Sequence, residues 1–302
     1  MLDGEVRSLS KRTLEERQAF ADKFVWWLRH TERDACGKAE LRAFLAYVNR
    51  GHEDPAGRWG NPRNTRPVKA GTVAAYYRLL HTFFGFVVQE GELEASPMES
   101  LTAPVVRRDQ IQPFSEEQVN ALLTAAGKSS DPKRDEAILL FLLDTGARVS
   151  ETCRIRTQDL DLTGRRVRVV GKGGKERTLP FGRKVAKAFF AYLRDMPKEP
   201  EDALFASNRG REAGEPLTRD GMHALIARLG GRANIDTVRC SPHTFRHTFA
   251  ISFLRNGGNV FTLKELLGHT SLVMVNRYVA LAQADIESQH RQFSPADRLK
   301  RK

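Results

Sequence analysis

The apolar residues of this chain recur three and four positions apart over long stretches, and a proline-marked break near residue 100 separates the N-terminal stripes from the rest. Phe20, Phe24, Trp27 and Leu28 make one stripe, and Leu41, Phe44, Leu45 and Val48 a second. Val73, Tyr76, Tyr77, Leu80, Phe83, Phe84 and Val87 make a third, which stops at Gly91. Such spacing puts the side chains on one face of a helix. The aromatics therefore read as core and not as a base-stacking surface. Between 96 and 114 the periodicity fails, with Ser96-Pro97, Pro104, Arg107-Arg108 and Pro113 in place of apolar stripes. That composition predicts an interdomain linker. The reading is an all-helical N-terminal domain over 1–95, a linker over 96–114 and a second domain over 115–302. A chain of 302 residues can bury a core in each.

The second domain opens with Ser115 and Gln118, a capping-box pair ahead of Val119, Leu122 and Leu123. Asp131-Pro132 starts a further helix, with proline at its first position and Gly146 past its apolar end. Arg165–Val170 and Arg177–Phe181 are β-prone and flank Gly171-Lys172-Gly173-Gly174, which predicts a hairpin. Helical patterns return near 184–195, 218–230, 242–256, 261–267 and 271–287. The expected fold class is mainly α with a small β-sheet or hairpin in the C-terminal domain.

Charge narrows the partner. Of the formal net charge of +12, residues 1–105 contribute little, with 15 Lys/Arg against 14 Asp/Glu. The rest holds 34 against 23, a field that attracts polyanions, nucleic acid foremost. In the N-terminal region the long segment Gly51–Gly71 carries Arg58, Arg63, Arg66 and Lys69. Two readings stand side by side, a mobile insertion and a basic loop that tracks a DNA backbone. Cys36, Cys153 and Cys240 are odd in number and far apart, against a disulfide framework or a cysteine zinc site. The chain opens Met-Leu-Asp-Gly-Glu, without an apolar signal core, and has no run of 18 apolar residues. The expectation is a cytoplasmic, nucleoid-associated protein with no membrane contact.

The chemistry lies in an ordered series. The chain reads Leu143-Asp144-Thr145-Gly146-Ala147-Arg148-Val149-Ser150-Glu151, then the hairpin Gly171-Lys172-Gly173-Gly174-Lys175-Glu176-Arg177. It goes on with His243-Thr244-Phe245-Arg246-His247, then Leu267-Gly268-His269-Thr270-Ser271, and Tyr278 nine residues after His269. Taken singly, each polar residue here has an ordinary structural reading as a helix-end charge, a solvated turn lysine or a half-buried tyrosine. Taken together, the five segments in this order resemble the catalytic domain of the tyrosine recombinases, a family of phage integrases, Xer-type recombinases and transposon integrases. The resemblance covers about residues 115–280 by motif, and more loosely the helical N-terminal region, as a core-binding domain. Phe245 stands where many relatives carry leucine.

The resemblance implies a two-domain clamp on double-stranded DNA. It also implies a reaction in which strands are cut and rejoined through a covalent 3′-phosphotyrosine. Residue chemistry agrees. Strand exchange without an outside energy source must keep the phosphodiester bond energy, so a protein nucleophile has to hold the phosphate. Tyr278 suits that role, but a phenol is a weak nucleophile near neutral pH and needs help. Arg148 and Arg246 offer paired donors and permanent charge for the phosphoryl oxygens. His269 would donate a further hydrogen bond. The resemblance places His243 near the tyrosine oxygen as proton acceptor and Lys172 as general acid for the departing 5′ oxygen. Glu151 matches an acidic position that orients the site, and His247 is set aside as partly structural. H-T-F-R-H is not the H-E-x-x-H of a zinc helix, and Arg246 between the two histidines opposes a dication. No cofactor or metal is expected.

Val279–Phe293 is helix-compatible, and the chain ends in Arg298-Leu299-Lys300-Arg301-Lys302. In relatives a C-terminal helix docks into a neighbouring subunit. That implies a homo-oligomer on DNA, a dimer per site and a tetramer in the synapse, with a partner recombinase or accessory protein as a further possible component. The competing reading is a catalytically silent architectural DNA-binding protein on the same scaffold. A broken active site would mark it, and here Arg148, Lys172, His243, Arg246, His269 and Tyr278 are all present.

Overall fold

In a computed structural model the chain divides into two compact units, 1–109 and 110–302. The structure describes residues 9, 11–34, 36–52, 56–106, 112–207, 213–269, 271–282, 290 and 294–297.

The first unit holds helices α1 (Lys11–His30), α2 (Lys38–Asn49) and α3 (Ala70–Gln89). Phe20, Phe24 and Trp27 of α1 bury against Leu41, Phe44 and Val48 of α2 and Val73, Leu80 and Phe84 of α3. The stripes read from sequence are the core. Phe83 is the exception, 44% exposed at the edge of its stripe.

The segment after α2 is built, not loose. Arg58 is only 5% exposed, and its Nη2 donates to the backbone carbonyls of Arg50 and Arg66, each at 2.8 Å. Trp59 packs on Tyr47 and Phe44, and its backbone N–H donates to Tyr47 Oη at 3.0 Å. Arg58 is thus a clamp across the loop's two ends, which corrects its reading as a DNA-contacting residue. A guanidinium pays its desolvation best when carbonyls fill its donor positions. Arg63, Arg66 and Lys69 remain exposed.

Both ends of the segment expected as a linker, 96–114, hold residues packed into a core. Met98 and Leu101 are buried in the first unit's core, and Tyr77 Oη donates to the Leu101 carbonyl. At the other end Phe114 is buried against Phe245, and its N–H donates to Thr248 Oγ1 at 2.9 Å. Apolar residues three apart beside a proline still bury wherever a core lies within reach.

The second unit carries helices α4 (Glu116–Gly127), α5 (Pro132–Thr145) and α6 (Val149–Thr152), then a three-stranded sheet. Helices α7 (Arg183–Asp195), α8 (Arg219–Arg232), α9 (Pro242–Arg255), α10 (Val260–Leu267) and α11 (Val273–Ala282) follow. The Ser115–Gln118 capping box forms as read. The predicted hairpin is β2 (Arg166–Val170) and β3 (Glu176–Pro180), paired antiparallel with Arg166 opposite Pro180 and Val170 opposite Glu176. A short strand the sequence did not suggest, β1 (Leu160–Asp161), adds to the free edge of β2.

Two buried helices organise this unit. α5 buries Ala137, Ile138, Leu139, Phe141 and Leu142, and α9 buries Phe245, Ala250 and Ile251. Where they meet, Gly146 ends α5 in the left-handed conformation, φ +59°. A Cβ there would sit 2.4 Å from a ring carbon of Phe249, so only glycine suits both the backbone and the contact. That close approach brings Arg148, just past the turn, toward α9 and Arg246. The helical pattern read to 287 is seen to Ala282; its remainder and the basic terminus, 298–302, lie outside the described residues.

Candidate active site

Arg148 is the N-cap residue of α6, directly after the Gly146 turn. Its backbone N–H and Nη1 donate to the two oxygens of Glu151, at 2.8 and 2.9 Å, and its Nη2 donates to the Gly268 carbonyl at 2.9 Å. Glu151 is buried and has a second cationic partner, Arg177 of β3. Nη1 and Nη2 of Arg177 donate to its two oxygens at 2.7 and 2.9 Å. Burial pushes the Glu151 pKa up, but hydrogen bonds from Arg177 and Arg148 and the charge of Arg177 outweigh it and hold the carboxylate below its usual range.

Arg246 projects from α9 and is almost fully enclosed. Its Nη1 donates to the Gly146 carbonyl and its Nη2 to the Leu267 carbonyl, both at 2.7 Å. Nη2 also lies 2.9 Å from His269 Nε2. Burial, then the neighbouring Arg148 charge, brings the Arg246 pKa down to about 10, which leaves it cationic at neutral pH. The contact with His269 fixes that ring's tautomer. A guanidinium can only donate, so Nε2 accepts and Nδ1 carries the proton. Burial and the charges of Arg246, Arg148 and Arg177 push the His269 pKa down to about 4, so the ring is neutral. Its Nδ1 is buried with no hydrogen-bond partner among the described residues.

Tyr278, on α11, is 5% exposed and packed among Leu263, Leu267, Val275 and Ala282. Burial raises its pKa, although Arg246, Arg277 and Arg148 pull the other way. Its oxygen lies 2.9 Å from Nδ1 of His247. This corrects the placement of His243 at the tyrosine oxygen. Both histidines are on α9, one turn apart, and the later one reaches Tyr278. His243 is exposed, its ring 6.1 Å from that of His223. Burial, then the charges of His243, Arg277 and Arg246, takes the His247 pKa down to about 4. The i, i+4 spacing of the two histidines was the signal available for His247. Arg177 had none, because its partner Glu151 lies 26 residues away in sequence.

Lys172 falls in the short helical turn 172–174 between β2 and β3, and its side chain lies outside the described residues. Arg63, Arg66 and Lys69 belong to the other unit. Among the described residues no group of three or more His, Cys, Asp or Glu is gathered as metal ligands.

Residues 112–285, which span this whole constellation, match the phage integrase family. The chain belongs to that family. Among its relatives is tyrosine recombinase XerC of Mycobacterium bovis (strain BCG / Pasteur 1173P2), 32% identical over 92% of this chain and 99% of that protein. Tyrosine recombinase XerD of Shewanella oneidensis is 31% identical over 86% of this chain and 82% of that protein. The Tn1549 transposon integrase, solved in complex with circular intermediate DNA, shares the fold, with a TM-score of 0.66 and 20% identity. That match covers 86% of this chain and 85% of the integrase chain. Tyrosine-type site-specific recombination is accordingly the activity of this phage integrase family member.

Proposed function

We propose that Tyr278 is the nucleophile of this recombinase and that Arg148, Arg246 and His269 hold the scissile phosphate. The unpartnered Nδ1–H of His269 carries the reading. A buried donor without an acceptor costs about 1–3 kcal/mol, and a phosphate oxygen would satisfy it. Arg246 Nε and the free hydrogens on Arg148 supply further donors beside it.

In the proposed step His247 Nδ1 takes the phenol proton as Tyr278 Oη bonds to phosphorus. The bond from phosphorus to the 5′ oxygen breaks with its electron pair on that oxygen, which takes a proton from Lys172, the residue the resemblance nominates. A 5′-hydroxyl of the partner strand then reverses the sequence. Extra negative charge on the phosphoryl oxygens is met by guanidinium groups already in place, where electrostatic stabilisation is largest.

The partner is double-stranded DNA carrying a recombination site, a reading supported by the DNA in the Tn1549 integrase structure and by the basic second unit. Unit 1 serves as the core-binding domain and unit 2 as the catalytic domain, with a dimer on each site and a tetramer in the synapse. The tail expected to join subunits lies largely outside the described residues. No helix among the described residues is long and apolar enough to cross a membrane, and the proposed setting is the cytoplasmic nucleoid. The presence of the full residue set favours cleavage over the silent architectural role.

The test is covalent capture. A duplex library of random sequence yields a binding site, which is rebuilt with a nick so that a short product escapes and traps the intermediate. A denaturing gel with chelator present should show a protein–DNA adduct that Tyr278→Phe lacks. Binding by both proteins without an adduct from either would move the function to the architectural reading.

A further inference from the structure

We infer that Arg177 is a positioning residue, which takes over Glu151 so that the charge of Arg148 stays available to the phosphate. The inference rests on the proposed role of Arg148.

The hydrogen-bond pattern distinguishes the two arginines. Arg177 meets Glu151 fork to fork, one nitrogen on each carboxylate oxygen, at 2.7 and 2.9 Å. The Arg148 guanidinium gives the same carboxylate a single bond. Of the pair Arg177 is also the more enclosed, with its side chain 17% exposed against 35% for Arg148. With the Arg148 backbone N–H included, Glu151 accepts four hydrogen bonds, which fills its lone-pair positions.

Charge follows the same division. Glu151 and Arg148 alone would cancel, leaving the phosphate site with Arg246 only. With Arg177 present, Arg177 and Arg148 share the one carboxylate and Arg246 stands apart on backbone carbonyls and His269, so the site keeps two net positive charges, His269 being neutral. Without Arg177 the carboxylate loses its bidentate partner, and Arg148, the nearest fork, would close on it and turn away from the substrate.

Arg177 also ties the hairpin to the turn that carries His269. Its Nε donates to the Leu266 carbonyl at 3.2 Å, at the C-terminal end of α10, where a cation is favoured. A Cβ on Gly268 would lie 2.9 Å from Arg177 Nη1 and 3.3 Å from Arg148 Nη1, so glycine lets this turn press against both guanidinium groups. The β3 strand, α6 and the Gly268–His269 turn thus converge on one side chain.

The experiment uses the nicked duplex described above with the full chain. Arg177→Gln should slow adduct formation at saturating DNA about 100-fold, the order seen when one transition-state donor is lost, with DNA affinity changed only a few-fold. Adding Glu151→Gln removes the charge that Arg177 balances, so the double variant should recover at least about tenfold over the single one. Arg177→Lys keeps the charge and should stay within about tenfold of wild type. A double variant no faster than Arg177→Gln, or Arg177→Lys as slow as Arg177→Gln, would show a mere staple and overturn the inference. Arg177→Lys decides the matter if Arg177→Gln does not fold. An adduct-forming wild type with an undiminished Arg177→Gln rate overturns the inference alone. A wild type that binds without forming an adduct overturns the reading of Tyr278 itself.

Discussion

Two histidines at the site make the fold acid-sensitive in a calculable window. His247 and His269 both have pKa values pushed from 6.5 down to about 4. As pH falls below 6.5 the unfolded chain takes up protons that the folded chain refuses. Stability is therefore complete above about pH 6.5 and is lost on the way down to about 4. With these values each histidine costs at most about 2 kcal/mol at pH 5, and solvent screening of the half-enclosed rings lowers this to about 1. Glu151 titrates below its ordinary 4.5 and stays charged through most of this range. The assay is urea denaturation followed by far-ultraviolet circular dichroism at pH 7.5 and 5.0, for wild type, His247→Asn and His269→Asn. Trp26, Trp27 and Trp59 all lie in the first unit, so tryptophan emission follows that unit separately. Wild type should lose about 1 kcal/mol more than either variant between the two pH values. Equal losses in wild type and variants would refute the claim that burial and the arginine charges keep these rings neutral.

Further outcomes follow from single contacts. Arg246→Lys keeps a charge but cannot span the Gly146 and Leu267 carbonyls, so adduct formation should fall by about 10² to 10³-fold and stability by about 1–3 kcal/mol, read by nicked-duplex kinetics and urea melts. Arg58→Ala should cost about 2 kcal/mol in the tryptophan-monitored melt, because two carbonyls lose their donor, while the salt dependence of DNA binding stays unchanged. Alanine at Arg63, Arg66 or Lys69 should do the reverse, lowering the slope of log affinity against log salt by about one if that residue meets a phosphate. Gly146→Ala should destabilise the second unit by about 2 kcal/mol or more, through its positive φ and the Phe249 ring, in a denaturation monitored by circular dichroism.

What could be read from the residues in order was whatever a few neighbouring residues decide. The stripe of Phe20, Phe24 and Trp27, the Ser115–Gln118 cap, the glycine stop at 146 and the strands flanking 171–174 are local matters of period, capping and φ, and each forms as read. The ordered motifs likewise pointed to the family, since five short segments are a sequence property. Tertiary packing decided which side chains meet. Arg58 and Arg63 look alike in a basic loop, and only the folded loop shows one clamped between carbonyls and the other exposed. His243 and His247 sit one turn apart on the same helix, and the position of α11 selects His247 for Tyr278. Arg246 reaches the Gly146 carbonyl across 100 residues because α5 and α9 touch at a glycine, and Arg177 reaches Glu151 across 26. Such pairs depend on how helices and strands approach one another, a distance that no local spacing encodes.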